Sequence, residues 1–201
     1  MDQQERREFV RSHRTCVFGY NRGADGPAMT VVYYVMNGDD ELLISTMAVR
    51  SKARVVGGGR KVSVCVLDEK WPLGYVQVYG DAVVDRDAEL AAGVLNQVLG
   101  LMAGEPVPPE RWPQVKEMAQ RENRVVIRVR PYATFATPPR HVRQMSDIDT
   151  LTHWTSNSMP WVITADSART RPAARQGEAV DTSTCHLGFR YILRNVTDSQ
   201  R

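Results

Sequence analysis

Ser45, Thr46, Arg50 and Lys52 fall within eight residues and bring together two hydroxyls and two long cations. Hydroxyls and exposed backbone N–H groups supply directional donors, and the cations supply charge, which is the equipment of an anion cradle. A solvated basic turn has the same composition, and both readings stay open at this point. Gly57-Gly58-Gly59-Arg60-Lys61 invites comparison with a phosphate loop, but the chain has neither GxxxxGK[ST] nor GxGxxG there. A flexible turn before a strand is the simpler reading. Trp71, Pro72 and Tyr75 cluster between two strand-like runs. They can wall a planar ligand, plug a barrel or meet a second subunit. Tyr33 and Tyr34 read as core. Asp25, Asp39, Asp40, Asp68 and Glu69 are turn carboxylates with no evident acid/base couple, and no GxSxG nucleophile signature is present.

Cys16, Cys65 and Cys185 form no CxxC pair, and the first two lie in apolar runs, so buried thiols in a reducing compartment are expected. His13, His141, His153 and His186 are scattered, and no metal site is expected from their spacing.

The elements that must position these residues begin with a helix over 3–14. Strand-like runs follow at Thr15 to Tyr20, Ala28 to Met36 and Glu41 to Thr46, separated by NRGADGP and NGDD turns. The second run is apolar enough to be buried on both faces, and the three together suggest an antiparallel meander. One or two helical turns precede Gly57. Lys61 to Asp68 alternates, with Val62, Val64 and Val66 on one face, and Tyr75 to Asp85 is a long strand in which Gly80 marks a bulge or barrel corner. Asp87 to Leu101 is the clearest helix, N-capped by Asp87 and striped by Leu90, Val94, Leu95, Val98 and Leu101. A more polar helix over 110–122 and a sixth strand from Arg124 to Val129 follow. This order predicts a small antiparallel barrel with helices at its ends.

The chain has 201 residues with 42% hydrophobic and 24% charged, enough for one domain with its own core. From about residue 141 onward the texture turns polar and mixed in charge, so 1–140 is read as the barrel domain and 141–201 as an extension in which only WVI and LGFRYIL look structured. Of 26 basic residues four are lysines, and the net charge is only +3. No basic stripe interleaved with aromatics is visible, so nucleic acid is not an expected partner. No apolar run approaches membrane-spanning length and the N-terminus lacks an apolar leader, so a cytoplasmic protein is expected.

The ordered series of pieces resembles the split β-barrel flavin/deazaflavin oxidoreductases related to pyridoxamine 5′-phosphate oxidase, and in particular the actinobacterial branch that uses coenzyme F420. The resemblance rests on the strand and DG turn from Thr15 to Gly26, on AMTVVYYV, IST and Arg50-Ser51-Lys52, and on VSVCVLD, WPLGYVQVYGDA and RVVIRVRPYATFATPP. It covers about residues 5–140. It implies a six- to seven-stranded antiparallel split barrel and a homodimer with the cofactor, F420 or alternatively FMN, in a groove at the interface. Arg50 and Lys52 would grip the cofactor phosphate, beside Ser45 and Thr46. The strand segment containing Met29, Thr30, Val31 and Tyr33 would line the ring system. Trp71, Tyr75 and Gln77 would approach from the partner subunit. The activity implied is hydride transfer from the reduced deazaflavin to a small unsaturated or carbonyl-type acceptor. An FMN-dependent reductase or oxidase and a non-enzymatic flavin- or haem-binding module are the alternatives. Family members continue after the lysine with an Asn-Leu-Arg-Arg-Asp-Pro-like stretch, where this chain has Ala53 to Arg60 (ARVVGGGR).

Overall fold

In a computed structural model, residues 1–68, 70, 74–137 and 158–162 are described; of the extension read from residue 141, all but 158–162 lies outside them, including the run around Tyr191. Strand β1 (Thr15–Asn21) turns tightly and returns as β2 (Pro27–Tyr33), pairing antiparallel from Asn21↔Pro27 to Thr15↔Tyr33. Gly26 closes the turn at φ +78°, a conformation open to glycine, and its carbonyl accepts from the Arg22 N–H at 2.9 Å. In β1 alternation sends Cys16, Phe18 and Tyr20 into the core.

The second run does not continue unbroken to Met36. Tyr34 interrupts it: the side chain is 1% exposed, its hydroxyl donates to the Val10 carbonyl, and its N–H donates to the Arg14 carbonyl at 3.0 Å. Beyond it β3 (Val35–Met36) and β4 (Leu42–Met47) form a second hairpin around the Asn37–Glu41 turn. Nor is the run buried on both faces. Met29 and Val31 are 71% and 75% exposed, because β2 is an edge strand packed on one side only.

The expected meander is also revised. Strand β4 pairs not with β2 but with β7 (Arg124–Thr137), from Leu42↔Val129 to Met47↔Arg124. With β5 (Arg60–Leu67) and β6 (Tyr75–Asp85) the order is β2-β1-β5-β6-β7-β4-β3, all antiparallel where paired. The two ends of this seven-strand path, β2 and β3, are consecutive in the chain and joined through Tyr34, as the split-barrel expectation requires. The two-residue β8 (Met159–Pro160) pairs with β7 off the path. The main core, including Phe18, Tyr34, Leu42, Ile44, Val64, Val66, Val76, Val78, Ile127, Val129 and Trp161, fills the barrel.

Gly80 lies at a register shift, where β6 passes from Tyr79↔Ala133 to Gly80↔Pro131 and leaves Tyr132 as the extra residue of β7. Pro131 therefore sits at the irregularity, where a missing N–H is tolerated, and β7 runs through it to Thr137 rather than ending at Val129.

Helix α1 (Gln3–Ser12) opens with a reciprocal cap: Glu5 N–H donates to Asp2 Oδ1 at 2.9 Å and Asp2 N–H to Glu5 Oε2 at 2.6 Å. Helix α2 (Ser51–Val56) follows β4. Helix α3 (Ala88–Ala103) starts at the Asp87 cap, where Leu90 N–H donates to Asp87 Oδ1, and packs Ala91, Val94 and Val98 on Leu43 and Val126. Its other buried flank, Ala92 and Leu95, receives Val115 and Ala119 of α4 (Trp112–Arg121). No helix among the described residues is long and apolar enough to cross a membrane.

Candidate functional site

Strand β4 delivers the chain to α2 through a turn closed by Arg50 N–H donating to the Met47 carbonyl at 3.0 Å. Helix α2 is anchored by Ala53 (2% exposed) and Val56 (0%), which explains why ARVV rather than a polar stretch follows Lys52. With that anchor fixed, Lys52 is half-buried and its Nζ donates to Thr30 Oγ1 on β2 at 3.4 Å, while Arg50 stays exposed. Burial pushes the Lys52 ammonium below the usual lysine range, and the neighbouring Arg50 guanidinium pushes it the same way. Among the described residues Lys52 has no carboxylate partner. A partly desolvated cation held by a hydroxyl and opposed by a second cation is a place where an anion gains more than it would at an exposed lysine.

Alternation divides the other predicted residues between two faces. Thr46 shares the core face of β4 with Leu42 and Ile44 and is 4% exposed. Ser45 points the other way, where its Oγ accepts from Arg124 Nη1 at 3.5 Å. Likewise Thr30 faces inward toward Lys52, while Met29, Val31 and Tyr33 belong to the opposite face of β2.

On that opposite face the register lines up residues across five strands. One row runs Met29, Gly19, Ser63, Tyr79, Ala133, and the next runs Val31, Val17, Cys65, Gln77, Phe135. Gln77 Nε2 donates to Ser63 Oγ at 3.5 Å, and the Tyr75 and Phe135 rings lie 6.5 Å apart. The result is a broad, largely apolar sheet face with Met29 and Val31 as its most exposed members. The structure thus brings Arg50, Lys52 and Thr30 together, and Met29, Val31, Tyr33, Tyr75 and Gln77 onto one face. It does not put Ser45 and Thr46 on the same side. Trp71 lies outside the described residues.

Sequence reasoning missed Tyr79, Phe135 and Cys65 as members of the face, though the period-two alternation of β5 and β6 already carried the signal. It also missed Tyr132, which the β7 bulge turns outward so that Lys61 Nζ sits 4.3 Å from its ring centroid. Cys65 has its thiol pushed up by burial, and Cys16, almost fully buried, is pushed up to about 12. Neither is a poised thiolate.

A family model described as pyridoxamine 5′-phosphate oxidase matches residues 2–137. None of the curated proteins matches the chain. Among solved structures, the conserved hypothetical protein Rv2991 from Mycobacterium tuberculosis is 26% identical, with a TM-score of 0.59, 73% of this chain covered and 94% of its own. The protein Atu2129 of unknown function from Agrobacterium tumefaciens is 14% identical, with a TM-score of 0.51 and coverage of 67% and 55%. An F420 reductase is 21% identical, with a TM-score of 0.48 and coverage of 63% and 93%. The model match spans the whole sheet path from α1 through β7, the same span in which the strand order closes the split barrel. By that match and that topology, the chain belongs to the pyridoxamine 5′-phosphate oxidase family.

Proposed function

We propose that this protein is an oxidoreductase that holds coenzyme F420 in a groove shared by two copies of the chain. The observation that carries the reading is the half-buried Lys52 ammonium, fixed on Thr30 and left without a carboxylate among the described residues. Its environment fits a phosphate, which would relieve both the burial and the repulsion from Arg50. When bound, the deazaflavin supplies hydride to a small unsaturated or carbonyl-type acceptor, so the chain needs to bind, orient and exclude water rather than furnish a nucleophile. Arg50 and Lys52 hold the phosphate, and Thr30 fixes the direction of the Lys52 ammonium. The apolar row of Met29, Val31 and Val17 offers a dry wall. Tyr75 and Gln77 lie on the same face and would be presented to the site of the second copy.

Lys52→Ala and Arg50→Ala are each expected to weaken F420 binding tenfold or more, about 1.4 kcal/mol, in a fluorescence titration of the apo protein. Unchanged affinity in both variants would refute the assignment. The family binds flavins such as FMN, so FMN is titrated side by side; tighter binding of FMN than of F420 would replace the cofactor named here while keeping the phosphate site. Because the Lys52 pKa is lowered, phosphate affinity should fall as pH rises through that lowered value. Lys52→Arg, which stays charged, should keep its affinity at higher pH.

The shared groove makes a separate claim. A pair of apolar side chains as exposed as Met29 and Val31 on one edge strand is the mark of a covered surface. Sedimentation velocity should find the wild type as a dimer and Val31→Asp as a monomer with unchanged circular dichroism. A monomeric wild type at micromolar concentration would sink the two-copy groove.

A further inference from the structure

A second cavity, of about 370 Å³, lies between the β3–β4 turn, β7 and the segment that carries Trp161, and shares no residue with the candidate cofactor site. Its walls include Asp39, Glu41, Arg128, Arg130, Trp161 and Val162. The volume is at the small end of ligand pockets.

Trp161 is the unusual member. It is 2% exposed, packs into the main core, and is pinned by its N–H donating to the Tyr132 carbonyl at 3.0 Å and by the Arg7 guanidinium 5.7 Å from its ring centroid. Yet its indole Nε1 has no hydrogen-bond partner. A buried Trp ordinarily finds a partner for that N–H, so a donor left over at the wall of a cavity points to an acceptor that is missing from the protein itself.

The charges around it are divided in a telling way. Glu41 is consumed by Arg128, Arg130 and Asn37, and Asp40 by Arg7 and Arg11. What remains is one surplus of each sign. Arg130, 79% exposed, commits only Nη2, at 3.2 Å from Glu41, and leaves its other donors open. The Asp39 carboxylate has no partner among the described residues, since Asp39 is tied down only through its backbone N–H to Asn37 Oδ1. A simple anion would satisfy the two donors but face Asp39, and a simple cation would meet Asp39 but leave the indole N–H orphaned.

We propose that this cavity binds a small zwitterion of the α-amino-acid type, whose carboxylate accepts from the Trp161 indole N–H and the Arg130 guanidinium while its ammonium donates to Asp39. The site is independent of the redox reading, because it uses no residue of the Arg50–Lys52 cradle.

The test follows the indole N–H signal of Trp161 in the proton–nitrogen correlation spectrum of the full-length protein, assigned by its loss in Trp161→Phe. L-Alanine, acetate and methylammonium are titrated at constant ionic strength. L-Alanine is expected to shift the signal saturably, with acetate and methylammonium at least tenfold weaker. Arg130→Gln and Asp39→Asn, both at exposed positions, are each expected to raise the apparent Kd for L-alanine at least tenfold with unchanged circular dichroism. No saturable shift with L-alanine, acetate binding as tightly as L-alanine, or an unchanged Kd in either variant would overturn the proposal.

Discussion

Gly80→Val is expected to destabilise the protein by about 3 kcal/mol, at the upper end of overpacking penalties, read as a fall in Tm of roughly 6–12 °C. A Cβ at this position would fall inside the van der Waals envelope of Val129 Cγ1 and within 3.0 Å of the Arg130 carbonyl oxygen. Val129 is fully buried in the main core and the second neighbour is backbone, so neither can swing aside. The only relief is to part β6 from β7 at the bulge. Gly93→Ala, in the middle of α3, provides the opposite sign: its Cβ would meet nothing within 4 Å, and it should stabilise by about 0.5–1 kcal/mol through helix propensity. If both glycines tolerated alanine equally in thermal melts, close strand approach would not be what Gly80 provides.

Glu41→Ala is the second large effect. The carboxylate is 5% exposed, accepts from Arg128 Nη2 at 2.6 Å and Nε at 3.1 Å, and is joined by Arg130 and Asn37 at 3.2 and 3.1 Å. Breaking a fully buried pair costs about 3–5 kcal/mol. Here Arg128 is one-third exposed, so water recovers part of the loss, and about 2 kcal/mol is expected in urea unfolding at neutral pH. Burial alone would push the Glu41 carboxyl up, but the hydrogen bonds from Arg128, Asn37 and Arg130 outweigh it and the net direction is down. Asp85 is lowered too, first by the Asp87 backbone N–H, against an opposing push from burial, with Arg128 adding to the lowering at 3.2 Å. A lowered carboxyl contributes its stability in full above its unfolded-state value and loses it as pH falls through the folded one. The stability gap between wild type and Glu41→Ala should therefore be constant above the ordinary glutamate value of 4.5 and narrow below it. A gap that widened on acidification would contradict the network.

Local physics made several elements readable from residue types alone. The alternation of Val62, Val64 and Val66, the Asp87 cap and the irregularity at Gly80 each depend on neighbours a few positions away, and each is found where the residues placed it. What escaped were choices made at long range. The apolar content of AMTVVYYV says that the run avoids water, yet not that Tyr34 would be drawn out of the strand to reach the Val10 carbonyl, nor that Met29 and Val31 would lie on an open face. Pairing of β4 with β7 instead of β2 is decided by barrel closure, which leaves no mark in either segment. At the candidate site, Arg50 and Lys52 were recognisable as a cationic pair, but the hydroxyl that orients Lys52 comes from a strand twenty-two residues earlier in the chain. Reading Ser45 and Thr46 as one unit overlooked that adjacent strand residues look in opposite directions.

The long-range pairing of β4 has a consequence during synthesis. Leu42 and Ile44, both fully buried at the end, have Val129 and Ile127 as their cross-strand neighbours. At a translation rate of about 5–20 residues per second, the nascent β3–β4 hairpin waits on the order of ten seconds with its outer edge open before β7 leaves the ribosome. In that interval the growing polypeptide exposes a sticky ribbon, and a chaperone that shields extended apolar strands would have its greatest effect on yield there.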